Sequence, residues 1–186
     1  QPAENVTLSI TSSDTGEAVV NGSTTSNNTL AFTSGNWNTP QSFTVTGVDD
    51  NLVDGTITST LTVAVVDALS DDNFDAVGDQ TVSVTTTDND TAGFTIVQSG
   101  GSTSVAETGT TDTFTVVLTA QPTSDVVLTI TSSDTGEATV NSPLTFTPAN
   151  WNTAQTVTVT GVDDNIIDGT ITSTITVAVN DGSSDN

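Results

Sequence analysis

Val45-Thr46-Gly47-Val48-Asp49-Asp50-Asn51-Leu52-Val53-Asp54-Gly55 returns later in the chain as Val159-Thr160-Gly161-Val162-Asp163-Asp164-Asn165-Ile166-Ile167-Asp168-Gly169. Each copy reads as a strand, a carboxylate-rich loop and the start of a second strand. Upstream of the loop Val or Phe alternates with Thr. Thr56 to Val65 and Thr170 to Val179 alternate again beyond it, with the period of two of a half-buried strand. Three Asp within six residues, closed by Gly in a chain without Lys or Arg, repel one another unless a cation sits among them. Oxygen donors of this kind suit a hard divalent ion, Ca2+ above all.

The rest of the composition points the same way. The 186 residues include 23 Asp and Glu but no Lys, Arg, His or Cys, for a formal charge of −23. A chain so charged does not bind nucleic acid or an anionic membrane surface through its own charges, and its natural partners are cations. Absence of Cys excludes a disulfide framework and a thiolate metal site. Absence of His removes the commonest general base and the usual zinc ligand. No apolar run approaches membrane-spanning length, so direct membrane insertion is not expected. No signal peptide is present, and any export signal is expected outside this stretch. Acidic composition with few aromatics is a mark of disorder, but regular alternation and abundant β-branched residues are not.

The repeat extends well beyond the loop. Ile10 to Ala18 recurs identically as Ile130 to Ala138, and the match resumes with Phe32 against Phe146, so the first copy carries six extra residues within Asn21 to Ala31. That Ser/Thr/Asn/Gly stretch reads as a longer loop or an added hairpin. A unit of about 115–120 residues has the size of a β-sandwich domain. Alternation places strands at Gly93 to Gln98, Thr111 to Thr119, Val126 to Ser132, a broken element from Ala138 to Phe146, Thr156 to Val162 and Thr170 to Val179. The first copy shows equivalents of the last four, and then Thr81 to Thr86. Assembled from both copies, a complete unit has seven strands, A to G. Residues 1–90 then form a sandwich lacking its first two strands, and residues 91–186 one lacking its last. Almost no linker joins them across Thr87 to Gly93.

If successive strands run antiparallel, the A-B, C-D and E-F loops and the end of G share one end of a sandwich. Glu107 then lies in A-B, Asp134 in C-D, and Asp163, Asp164 and Asp168 in E-F. In the first copy Asp14 lies in C-D and Asp49, Asp50 and Asp54 in E-F, and Asp88 and Asp90 follow G. Convergence of four or more carboxylates is what a Ca2+ site of six to eight oxygens requires. The spacing is not that of an EF-hand, because position 12 counted from Asp49 is Thr60 rather than a bidentate Glu. For Asp14 and Asp134 the ligand role and a plain turn-forming role in Ser-Ser-Asp-Thr-Gly both stand. Trp37 and Trp151, each in Asn-Trp-Asn, are expected to plug the open end of a sandwich.

Val105-Ala106-Glu107, Phe114 to Leu118, Thr131-Ser-Ser-Asp134, Leu144 to Pro148, Thr158 to Asp164 with Asp168, and Thr81 to Thr85 with Asp88-Asn89-Asp90 together resemble the Calx-β repeat. That family includes the Ca2+-sensing domains of sodium/calcium exchangers and many tandem modules of large bacterial surface proteins. The resemblance covers essentially the whole chain, and its most specific piece is the Asp-Asp pair after strand E with an acidic residue four positions on. It implies tandem immunoglobulin-like antiparallel β-sandwiches with Ca2+ at one end. The carried-over ligands are Glu107, Asp134, Asp163, Asp164 and Asp168 in the second unit, and Asp14, Asp49, Asp50, Asp54, Asp88 and Asp90 in the first. Where sensor members continue the E-F loop with more acidic residues, this chain has Gly55-Thr56-Ile57, which implies fewer ions or weaker binding.

The expected function is therefore a calcium-binding extracellular structural repeat, serving as a rigid spacer of a bacterial adhesin or as the body of an extracellular filament. Its partners would be calcium ions and neighbouring repeats or copies of itself. A strand-donating, self-assembling fibre subunit and a sugar- or ice-binding module are the alternatives. An enzyme is not expected. Carboxylates and hydroxyls alone leave a two-carboxylate glycosidase, which needs a raised-pKa acid in an apolar pocket rather than among like charges in polar loops.

Overall fold

A computed structural model describes residues 1–20 and 28–184. The described chain is all-β, with no α-helix, and every named strand pairing in it is antiparallel. It divides into two compact units, one of Gln1–Asp50 with Asp54–Asn89, the other of Asp90–Asn186 with Asn51–Val53. Most of the extra stretch of the first copy, residues 21–27, lies outside the described residues.

The first unit holds β1 (Val6–Ser12), β2 (Ala18–Val20), β3 (Asn28–Phe32), β4 (Val45–Gly47), β5 (Ile57–Val65) and β6 (Gln80–Thr86). β3, β1, β5 and β6 form one sheet in that order, and β2 pairs with β4 in a second. The second unit holds β7 (Phe94–Gln98), β8 (Thr111–Leu118), β9 (Val126–Ser132), β10 (Ala138–Val140), β11 (Leu144–Phe146), β12 (Gln155–Gly161) and β13 (Ile175–Val179). Its sheets run β10-β12-β8-β7 and β11-β9-β13. Alternation explains the layering: from Phe114 in β8 and from Val157 in β12 every second residue is buried, so Phe114, Val116, Leu118, Val157 and Val159 face inwards while Thr115, Thr158 and Thr160 do not.

Strand boundaries follow the partners available. Ala138 to Phe146 is two strands in different sheets, β10 on β12 and β11 on β9, with the Ser142 hydroxyl between them accepting the Ile130 N–H at 2.9 Å. Both pieces lie antiparallel to strands already in place, so the element changes sheets without adding a loop that would move the acidic turns to the other end. The strand expected over Thr170 to Val179 begins only at Ile175. In the first unit the equivalent residues, from Ile57, are strand because β6 pairs with them, and among the described residues nothing pairs with that edge of β13.

The contrast between β4 and β12 has the same origin. Gln41 to Gly47 and Gln155 to Gly161 are nearly the same sequence, yet β12 has seven residues and β4 three. β12 pairs with β8 from Gln155 to Thr160, and the first unit has no counterpart of β7 or β8 among its described residues. The core follows suit. In the second unit ten buried residues, including Phe114, Leu128, Phe146 and Val157, form one cluster, whereas the first centres on Ile10, Val20 and Leu61. Trp151 packs against its core, but Trp37 remains 47% exposed and does not plug its unit as expected. Among the described residues no helix is long and apolar enough to cross a membrane.

Candidate metal centre

The acidic loops are shaped by short local hydrogen bonds. In Ser-Ser-Asp-Thr-Gly-Glu the Asp14 Oδ1 accepts the Gly16 N–H at 2.9 Å, and Asp134 Oδ1 accepts the Gly136 N–H at 3.0 Å. These are Asx turns, and they direct the chain back so that the following Glu reaches the start of the next acidic loop. Glu17 O accepts the Val48 N–H at 2.8 Å, and Glu137 O accepts the Val162 N–H at 2.9 Å. In the second unit Gly161 N–H also donates to Thr110 O at 3.0 Å, so the three loops after β7, β9 and β12 meet at one end. Gly55 and Gly169 close the last of these loops at φ +77 and +79, a left-handed backbone that other residues rarely adopt.

Two sets of three carboxylates result among the described residues. Glu17, Asp50 and Asp54 offer oxygens that all lie within 4.8 Å of one another, and so do Glu107, Asp164 and Asp168. Asp50 with Asp54 and Asp164 with Asp168 are repeat equivalents, so the same loop supplies two members each time. The third comes from the loop after β1 in the first unit and from the loop after β7 in the second. Burial and the neighbouring carboxylates Asp54, Asp14 and Asp50 raise the pKa of Glu17; burial and Asp168, Asp164, Asp134 and Glu107 raise that of Glu137. Each glutamate is therefore held where its charged form is disfavoured by its surroundings.

Other carboxylates are satisfied by the protein itself. Asp71, only 4% exposed, accepts N–H bonds from Ala3 at 2.7 Å, Glu4 at 3.1 Å and Asn73 at 3.1 Å, with the Asn73 side chain at 2.7 Å. These donors bring its pKa down to about 2. Asp112 is lowered likewise by the Ser99 hydroxyl and the Ser104 and Thr113 N–H groups. Asp75 is raised by burial and by Asp67, Asp72 and Asp71, yet it joins no three-carboxylate set, so it is geometry that singles out the two clusters.

Of the residues expected as ligands, the structure thus brings together Asp50 and Asp54 in one unit and Glu107, Asp164 and Asp168 in the other. It does not bring Asp14, Asp49, Asp88, Asp90, Asp134 or Asp163 into either set. Asp14 and Asp134 form turns, and Asp49 and Asp163 are exposed beside the clusters. Asp88 Oδ2 accepts the N–H groups of Asp54 at 3.1 Å and Gly55 at 2.9 Å, which ties the acidic loop to the end of β6. Asp90 is grouped with the second unit rather than with the first. Glu17 and Glu137 were not foreseen, and their signal is the identical recurrence of Glu three positions after the turn-forming Asp.

Three carboxylates without a cationic side chain in reach fit a hard cation, since up to six charged oxygens approach the number Ca2+ takes and no softer donor is present. Comparison with family models and with curated proteins gives no match.

Proposed function

We propose that the chain is a calcium-binding structural repeat of the Calx-β type, built from immunoglobulin-like sandwiches of seven strands per complete unit, and that it works outside the cell. In that role it is a spacer of a bacterial adhesin or the body of a filament, stiffened by ions at the loop ends. The observation that carries the reading is that each unit gathers three carboxylates, two of them supplied by the same repeat-equivalent loop. Glu17 with Asp50 and Asp54, and Glu107 with Asp164 and Asp168, would hold one Ca2+ each, with Glu137 close enough to the second set to feel its charge. Bound calcium would offset the carboxylate repulsion that, after burial, raises the two glutamates.

The all-carboxylate loops also speak against hydrolytic chemistry. Asp54 and Asp168 are exposed and surrounded by acids, the reverse of the apolar setting a general acid needs. Titration calorimetry tests the reading: saturable calcium binding is expected, with one class of sites lost in Asp50→Asn/Asp54→Asn and the other in Asp164→Asn/Asp168→Asn. Unchanged binding in both double variants would refute it.

A further inference from the structure

The first unit contains a surface whose shape is recorded, filled, in the second. In the second unit β8 lies along β12, with Gln155 opposite Val116 and Thr160 opposite Thr111. The loop that precedes β8 runs so close to the end of β12 that a Cβ on Gly161 would stand 2.2 Å from the Ala106 carbonyl oxygen. Glycine is required there because backbone occupies the space a side chain would take. Gly47 holds the equivalent position in the first unit, and a Cβ on it would meet only Thr86 Cγ2, at 3.5 Å. The glycine is kept where nothing in the described first unit needs it.

Four further features of the first unit match a missing neighbour of β7–β8 form. β4 offers an edge of three exposed residues, although its sequence supports the longer strand seen in β12. Val45 is 37% exposed, while its equivalent Val159 is 2% exposed. Trp37 is 47% exposed, whereas Trp151 packs on its core and its carbonyl accepts the Leu118 N–H of β8. Val82 of β6 pairs with the buried Leu61 and is nonetheless 53% exposed. The edge carries no Lys and no Pro to discourage pairing, which is how natural proteins usually guard an open strand.

We infer that the β4 edge and the apolar face beside it are a docking site for an antiparallel β-hairpin of β7–β8 chemistry. Such a hairpin has Phe, Val and Leu at alternate inward positions, Thr between them, and a loop backbone that abuts Gly47. Recognition would be by strand addition along β4, with the hairpin's apolar side chains covering Val45, Trp37 and Val82. The inference rests on the repeat architecture and not on calcium, so it is tested in chelator.

The probe is a peptide of residues 92–120 of this same sequence, added to the full chain carrying Trp151→Phe, in which Trp37 is the only tryptophan. A saturable blue shift of Trp37 fluorescence is expected. Gly47→Ala should leave the free fold in place, since its Cβ has room, but should weaken binding by about tenfold or more, because the docked loop backbone would meet it. Fusing the same segment ahead of Gln1 through a flexible linker checks the case in which the free peptide associates with itself, and the same Trp37 shift is expected. Absence of the shift in both formats overturns the inference. So does a shift that a scrambled peptide reproduces, or one that Gly47→Ala leaves unchanged.

Discussion

Asp71 shows what a single carboxylate does in this protein when donors surround it. It ties Ala3 and Glu4, at the approach to β1, to the turn that follows β5. Its pKa is about 2 in the folded chain against a usual value near 3.8. The stability it contributes is therefore fully present above about 3.8 and lost as pH falls from there through about 2. Asp71→Asn should lower the melting temperature at neutral pH and flatten its dependence on pH across that acid window, as followed by circular dichroism. Ser59 is the opposite case, 1% exposed on β5 with a hydroxyl that has no hydrogen-bond partner. Removing an orphaned buried hydroxyl relieves its desolvation, so Ser59→Ala should raise stability by about 1 kcal/mol in denaturant unfolding. The acidic loops were legible in part at this scale. Asp50, Asp54, Glu107, Asp164 and Asp168 stand out as acids in repeated or converging loops, but a turn-forming Asp and a ligand Asp look alike until donors are placed. Glu17 and Glu137 were hidden for a related reason: the Asx turn before each, not its spacing, carries Glu17 into its set and Glu137 to the side of the other.

Strands were readable where both faces and both edges are determined within the chain, and unreadable where a neighbour decides. β1 and β9 fall where alternation puts them, because each has partners on both sides. β4 and β12 have almost the same residues and different lengths, since β12 pairs with β8 from Gln155 to Thr160 as well as with β10, whereas β4 pairs with β2 alone among the described residues. β13 is short for the corresponding reason. The same comparison yields an energetic prediction at equivalent positions. Phe146 on β11 is fully buried, while Phe32 on β3 is half-buried, with no counterpart of β7 or β8 over it. Phe146→Ala should cost about 3–5 kcal/mol, and Phe32→Ala only about 1 kcal/mol. Denaturant unfolding of the two variants measures both, and equal losses would mean that the first unit's core is as complete as the second's.

For the whole molecule the dominant fact is a charge of −23 with no basic side chain to offset any of it. Self-repulsion of that size weakens a compact state, and ordinary salt relieves it only by screening over a Debye length, about 8 Å at physiological ionic strength. Within the clusters the carboxylate oxygens stand within 4.8 Å of one another, closer than screening ions in solution act efficiently. A bound divalent ion would act there instead, and its effect would differ from screening in being saturable. At 100 times its dissociation constant, calcium would add about 2.7 kcal/mol per site to the folded state. Melting the chain in chelator, in calcium and in sodium chloride of matched ionic strength separates the two effects. Calcium should raise both units' transitions to a plateau that sodium does not reach. Asp164→Asn/Asp168→Asn should take the plateau from the second unit alone, because the first unit's set is built from different residues. Magnesium should stabilise less, since it demands near-octahedral geometry and gives up its water reluctantly, whereas loops closed by glycine suit the larger, more permissive ion. Equal rises in all three salts would reduce the clusters to general charge relief and remove the basis for an ion-stiffened repeat.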